Sequence, residues 1–383
     1  MKSAGLYIHI PFCLKKCAYC DFVSYAGRED AMESYVQALL CEMEVWSRSF
    51  PYLRIPTAYI GGGTPSFLYH GLIARIIGRA RELFLVEPDA EITVEANPKT
   101  LDERKLEEYL DAGVNRLSIG LQSANNDLLK VLGRAHSAED FAQTVTLARR
   151  AGFENISADV MYGLPGQTVT DHLAAINMAC QAGAKHVSAY ALTLEEGTPL
   201  DESVREGTLS LPDEDLQYAM FREGKNLLES LGFRRYEISN YARIGYASCH
   251  NMAYWQNEPY IGLGAAAHSC VQTVNGIERL ANTDNLEEYI MRANSGEVPA
   301  IERNYIDAGE SMFETMMLGL RLVEGVELDA FRERYGVAAT DHFSGQIDKL
   351  IKAEMIFIEK GRIKPTPKGL DFHSRAALEF LEK

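Results

Sequence analysis

Between Gly5 and residue 192 the chain passes six times through one unit, a short β-rich segment followed by a stretch with helical spacing of apolar residues. The strand segments are GLYIHIPF (5–12), TAYIGGG (57–63), EITVEANP (91–98), NRLSIGLQS (115–123), NISADVMYGLP (155–165) and HVSAYAL (186–192). Between them lie helical stretches at 31–47, 66–84, 101–112, 125–132 with 138–151, and 168–182. Such alternation predicts parallel strands joined by right-handed crossovers. Six units fall short of the eight that close a (β/α)₈ barrel. The expected fold is therefore α/β, an open, partial parallel (β/α)₆ barrel.

The alternation stops at residue 194, which sets the first expected boundary. Residues 195–308 read as an extension of the barrel, with a helix near 213–231, a strand at 234–239 and the dense stretch CHNMAYWQNEPYIGLGAAAHS (249–269). Residues 309–383 read as a smaller, mostly helical domain. Helices at 309–320, 327–335 and 341–353 precede a hairpin centred on Lys360–Gly361 and a final helix, a winged-helix-like pattern. Winged helices often bind DNA, but a net charge of −16 repels phosphate backbones. The tail is read as a packing module, with no nucleic-acid partner.

Chemistry concentrates in the loops after the strands. Gly61–Gly63, Glu95, Gln122, and Asp159 with Gly163 and Pro165 all fall at the C-terminal ends of predicted strands, where parallel barrels place their sites. Taken singly, each is also ordinary turn chemistry. The cysteines are less ambiguous. Three of the seven crowd together as Cys13-x₃-Cys17-x₂-Cys20, while Cys41, Cys180, Cys249 and Cys270 are scattered. Three thiolates on one short loop suit three irons of a [4Fe–4S] cubane. The next residue is Asp21, not a fourth cysteine, which leaves the fourth iron open to a small ligand. A closed zinc site would need a further His or Cys at finger spacing, and none follows.

The motif YIHIPF, C-x₃-C-x₂-C and then DF resembles the radical SAM superfamily, in its coproporphyrinogen-oxidase-like branch. The resemblance runs from Tyr7 to about Ser269 in distinct motifs and more loosely to the C-terminus. It implies an open parallel barrel, a [4Fe–4S] cluster on Cys13, Cys17 and Cys20, and S-adenosylmethionine (SAM) on the fourth iron. Residue by residue, it implies SAM contacts from Gly62, Gly63 and Thr64 of GGGTPS, Glu95 of TVEANP, Gln122 of IGLQS, Arg134 of LGRAH and Asp159 of SADVMYGLP. Tyr7 and Tyr19 match aromatic positions that pack on SAM, and Ala191 matches a backbone contact to adenine. Ion pairs for Arg134 and Asp159, and core positions for the tyrosines, are the plain alternatives.

Within that branch two groups compete, a coproporphyrinogen III dehydrogenase and a haem chaperone. The dehydrogenase pattern has one more cysteine, as CxC, and a longer N-terminal extension. Here Cys20 is followed by Asp21–Phe22, and six residues precede Tyr7. His250–Asn251–Met252–Ala253–Tyr254–Trp255 matches the HNxxYW motif of the chaperone group. The resemblance thus implies haem as a third cofactor, bound by His250, Tyr254 and Trp255. An imidazole can ligate haem iron and aromatic faces can stack on a porphyrin. From the residues alone the favoured reading is that His250 caps a turn and Trp255 fills the core; it is the resemblance that points to haem. His9 reads as structural beside the cysteine loop, and His268 as lining the SAM end of the barrel.

The implied partners are acceptor haemoproteins such as respiratory cytochromes and a low-potential reductant. A transient visit to a membrane through the acceptor and a homodimer are compatible with these. No stretch reaches the ~20 apolar residues of a membrane span, and the apolar N-terminal run is broken by His9 and Pro11. The expected location is the cytoplasm.

Overall fold

The structure, a computed structural model, describes residues 1–274 and 276–381. Along the chain run β1 (Gly5–Ile10), the short β2 (Phe12–Cys13) and β3 (Tyr25–Ala26), α1 (Met32–Ser49), β4 (Arg54–Gly62), α2 (Leu72–Leu83), β5 (Leu85–Ala96), α3 (Glu103–Ala112), β6 (Arg116–Gln122), α4 (Asn126–Val131), α5 (Ala138–Ala151), β7 (Asn155–Tyr162), α6 (Val169–Ala182) and β8 (His186–Ala191). Strands β1 and β4 to β8 are parallel neighbours in chain order, as the repeated unit requires.

Period-two alternation sorts the side chains. Leu6, Ile8, Ile60, Ile92, Val94, Leu117, Ile119, Ile156, Val160 and Val187 join one apolar core with the surrounding helices. The intervening positions face the barrel lumen and are mostly polar. Helix starts are set locally. Ser137 with Asp140, and Thr168 with Asp171, form capping boxes at α5 and α6.

The next segment contains α7 (Pro199–Arg205), α8 (Glu214–Ser230), β9 (Arg234–Arg235), β10 (Asn240–Ala242), α9 (Cys249–Trp255), β11 (Tyr260–Leu263), β12 (His268–Thr273), β13 (Gly276–Asn282), α10 (Leu286–Asn294) and β14 (Ala300–Ile306). It extends the same sheet at both edges to twelve strands, with β11 parallel to β1 and an antiparallel run from β12 to β14 beyond it. The sequence pattern predicts none of β10 to β14, nor a seventh parallel strand. β11 has only four residues, one of them Gly262, and β14 is exposed along most of its length, so neither shows alternation. The strand expected at 234–239 is shorter, Arg234–Arg235, with Glu237 making an isolated bridge to Leu322. The sheet continues across the boundary expected at 194.

The remainder comprises α11 (Ala308–Gly319), β15 (Val326–Glu327), α12 (Leu328–Tyr335), α13 (Ala339–His342), α14 (Ser344–Lys352), β16 (Ile356–Glu359), β17 (Arg362–Pro365), α15 (Pro367–Asp371) and α16 (His373–Leu378). The three strands pair as β15-β17-β16, with the hairpin turning at Lys360–Gly361, both at positive φ. Met316, Phe331, Phe343, Ile347, Ile363 and Phe380 belong to a core separate from that of the barrel. A part-buried Arg235–Asp371 ion pair ties this part to the sheet.

Candidate cluster and cofactor site

β2 and β3 pair in parallel through Phe12–Tyr25 and Cys13–Ala26, and so clamp both ends of the cysteine loop. Ala18 fixes its middle, donating its N–H to Leu132 O at 2.9 Å and accepting from Leu200 N–H at 2.9 Å. The three thiols then line one rim of a cavity of about 340 Å³ at the C-terminal ends of the parallel strands. Cys41, Cys180, Cys249 and Cys270 do not line it. Burial pushes the Cys13 and Cys20 thiols up, so holding them as thiolates requires positive charge in the cavity. Arg134 Nη1 lies 3.4 Å from Cys17 Sγ, and Thr64 Oγ1 donates to Cys13 Sγ at 3.5 Å.

Opposite the thiols the wall is backbone. A Cβ on Gly63 would lie 2.9 Å from Phe12 O and 3.0 Å from Cys13 Sγ. Gly62 has φ +110, and a Cβ there would sit 2.5 Å from the His9 ring. Only glycine lets β4 come this close to the loop.

Glu95 accepts from Tyr59 OH at 2.7 Å and from Gly62 N–H at 3.1 Å. Burial lifts its carboxyl to about 7, and burial likewise raises that of Asp159, which accepts from Ser118 Oγ at 3.4 Å. Both acids would ionise more readily beside a cationic ligand. Gln122 sits at a bulge with φ +64, unusual for a residue with a side chain, and accepts from Tyr190 OH at 3.1 Å. Tyr19, Gly62, Gly63, Thr64, Glu95, Gln122, Arg134, Asp159 and Ala191 all line the cavity with the three cysteines.

Tyr7 is not on that wall. Its hydroxyl bonds His9 Nδ1 at 2.9 Å, and His9 Nε2 reaches Val23 O at 3.0 Å. The pair supports the cysteine loop from inside the barrel, the structural role expected for His9. His268 is exposed on β12 and lines no cavity with the cysteines, contrary to its expected place at the SAM end. Ser118 and Tyr190 line the cavity but were not anticipated. Both stand two residues or a multiple of two from lumen positions on β6 and β8, a signal present in the strand period.

The HNxxYW motif lies at the other end of the barrel. Glu91 accepts from the N–H groups of Cys249 and His250, each at 3.0 Å, and so holds the start of α9. His250 is 1 % exposed. Its Nδ1 bonds Thr57 Oγ1 at 2.9 Å, its Nε2 bonds Tyr254 OH at 3.1 Å, and its ring stacks on Tyr59. Burial, followed by the nearby Arg116, lowers its pKa to about 3. The imidazole is neutral and both nitrogens are engaged. Trp255 is half-buried, with the Arg321 guanidinium 4.0 Å above its ring.

The radical SAM superfamily model matches residues 7–179, and the model of the HemN C-terminal domain matches residues 306–372. The heme chaperone HemW of Bacillus subtilis (strain 168) is 36 % identical over 370 residues, covering 96 % of each chain. This chain belongs to the HemW family of the radical SAM superfamily. A second HemW protein, the heme chaperone of Lactococcus lactis subsp. lactis (strain IL1403), is 33 % identical over 380 residues, 99 % of this chain and 98 % of that one. Among solved structures, the coproporphyrinogen III oxidase HemN from Escherichia coli superposes with a TM-score of 0.84 at 20 % identity, over 99 % of this chain and 90 % of its own. That likeness shows the shared fold, an open parallel barrel with a helical C-terminal domain. Radical SAM membership implies a [4Fe–4S] cluster and SAM, and the cavity fits both. This chain would meet them with three converging thiols, a glycine wall and buried acids.

Proposed function

We propose that this protein is a haem chaperone, which binds haem and passes it to acceptor haemoproteins such as respiratory cytochromes. The observation that carries this reading is similarity along almost the whole chain to proteins named heme chaperones. The end of the cysteine motif at Cys20–Asp21–Phe22 supports it.

In this reading Cys13, Cys17 and Cys20 hold the [4Fe–4S] cluster. Gly62, Gly63, Thr64 and Arg134 receive the amino-acid end of SAM, with Glu95 close by. Gln122 and Asp159 take the ribose hydroxyls, Ala191 lies against adenine, and Tyr19 packs on the ligand. Tyr7 acts one layer below through His9. The bound group supplies low-potential electron transfer, for which a low-potential reductant is the partner. The chain's own residues orient the ligand and exclude water from it.

Haem is assigned to His250, Tyr254 and Trp255. Trp255 already lines a cleft of about 430 Å³ with Phe331, Arg334 and Arg362. For His250 to ligate iron, α9 must leave its seat and give up the bonds to Thr57 and Tyr254. The protein is assigned to the cytoplasm, meeting any membrane through its acceptor. Among the described residues no helix is long and apolar enough to cross a membrane.

The test is anaerobic reconstitution followed by hemin titration of the parent and of His250→Ala. A Soret band that shifts in the parent and is weakened in the variant is expected. An unchanged band in His250→Ala removes that ligand. Formation of protoporphyrinogen from coproporphyrinogen III with SAM and a reductant would replace the chaperone reading with the oxidase one.

A further inference from the structure

Behind the cysteine cavity, deeper in the barrel, lies a second chamber of about 330 Å³. It shares Glu95, Ser118, Asp159 and Tyr190 with the first cavity, and it shares Trp255 with the cleft beside the C-terminal domain. Its wall carries Arg116, 2 % exposed, on the lumen face of β6. Among the described residues the Arg116 side chain has no hydrogen bond and no ion pair within 4 Å, and its Nε is fully buried without a partner. The neighbouring acids are committed elsewhere, Glu95 to Tyr59 and Gly62, and Asp159 to Ser118.

Further polar atoms on this wall are buried without a hydrogen-bond partner: the donors Trp255 Nε1 and Arg321 Nε, and the acceptors Asn240 Oδ1 and Glu237 Oε2. Arg321 is paired with Glu237 at 3.7 Å, whereas Arg116 has no carboxylate within 4 Å among the described residues and feels Glu95 and Asp159 only at longer range. Water could satisfy the hydrogen bonds of a buried guanidinium but not its charge, and a buried charge without a close, hydrogen-bonded counter-ion is disfavoured. A planar carboxylate meets both needs through the guanidinium fork. A phosphate dianion suits the chamber less, because Glu95, Asp159 and Glu237 share its walls.

We propose that this chamber binds a carboxylate group, held by the Arg116 fork with the Trp255 indole N–H and Arg321 as further donors. The carboxylate belongs either to a free small acid or to a propionate arm of a porphyrin. The second source rests on the haem reading above, whereas the first does not.

The chain has two tryptophans, Trp46 and Trp255, so Trp46→Phe leaves a single emitter on the chamber wall. Cluster-reconstituted protein with SAM is titrated with propionate at constant ionic strength, with chloride as the control anion, in the parent and the Trp46→Phe background. A saturable emission change with propionate and not with chloride is expected. Arg116→Met should weaken it at least tenfold while circular dichroism and SAM binding stay as in the parent. Arg116→Lys, which keeps the charge and loses the fork, should fall between the two and serves if the Met variant does not fold. Hemin and its dimethyl ester are then compared by Soret titration. Weaker binding of the ester in the parent but not in Arg116→Met assigns the arm of the porphyrin, and equal binding throughout assigns a free acid. If propionate gives no saturable response, or Arg116→Met and Arg116→Lys both respond like the parent, the chamber holds water only and the proposal is overturned. If hemin fails to bind at all, the haem reading falls, and the propionate titration still decides the chamber.

Discussion

Glu42 lies within α1, fully buried, where the helix meets the far side of the sheet. Its Oε2 accepts from Gly264 N–H at 2.9 Å and Tyr289 OH at 2.7 Å, and its Oε1 accepts from Asn282 Nδ2 at 2.8 Å. These bonds favour the carboxylate, but burial outweighs them and raises the pKa from 4.5 to about 7. In that interval the folded chain holds a proton that the unfolded chain has lost. Stability is therefore greatest below pH 4.5 as far as this group is concerned, and it falls as the pH rises to about 7. At about 1.4 kcal/mol per pH unit, the gap amounts to about 3 kcal/mol. Glu42→Gln imitates the protonated form. The difference in unfolding free energy between Glu42→Gln and the parent should shift by about 3 kcal/mol in favour of the variant between pH 4.5 and pH 8. Urea unfolding of both proteins at a series of pH values measures this. The subtraction removes other titrating groups, including Glu95. Parallel curves for the two proteins across the interval would refute the argument that burial dominates at this site.

Other substitutions test the cavity and the attachment of the C-terminal part. Serine at Cys13, Cys17 or Cys20 should abolish the iron and sulfide content of reconstituted protein, while Cys180→Ser should leave it unchanged; retention of a full cluster in any of the first three speaks against their role. Gly63→Ala places a methyl group 3.0 Å from Cys13 Sγ and 2.9 Å from Phe12 O; it should lower stability by about 1–3 kcal/mol in urea unfolding, and equilibrium dialysis should find SAM bound at least about tenfold more weakly. Asp371→Asn leaves the mostly buried Arg235 beside a neutral partner, with its bonds to Glu237 O and Ile238 O kept, and should cost about 1–2 kcal/mol in unfolding free energy, a loss that urea titration would detect.

The parallel strands of the barrel were legible because each repeats the same local signals, a β-rich run, a polar or glycine turn and an amphipathic helix. The cluster loop was legible because three cysteines in eight positions have few other uses. The far edge of the sheet was not legible. β11 holds its place through pairing with β1, a contact between residues some 250 positions apart that no local pattern encodes. The lumen was half legible. Glu95, Gln122 and Asp159 stand next to recognisable turns, whereas Arg116 and Ser118 sit inside a strand and look, in sequence, like any polar alternate of a surface strand. Their meaning depends on the sheet curling so that this face becomes an interior.

That curling also explains why the HNxxYW motif and the cysteine cavity, at opposite ends of the barrel, are not independent. His250 stacks on Tyr59, Tyr59 donates to Glu95, and Glu95 accepts from Gly62 on the cavity wall. Removing α9 from its seat would take away the face against which Tyr59 rests and leave Glu91, which is buried, without the two N–H groups it now accepts. An unpaired buried carboxylate is costly, so α9 stays in place until something compensates the loss. A ligand that bound His250 would have to supply that compensation through iron coordination and stacking on Trp255. The same act would loosen the support beneath Glu95. The seat of α9 is thereby linked by contact to the Glu95 wall of the cysteine cavity.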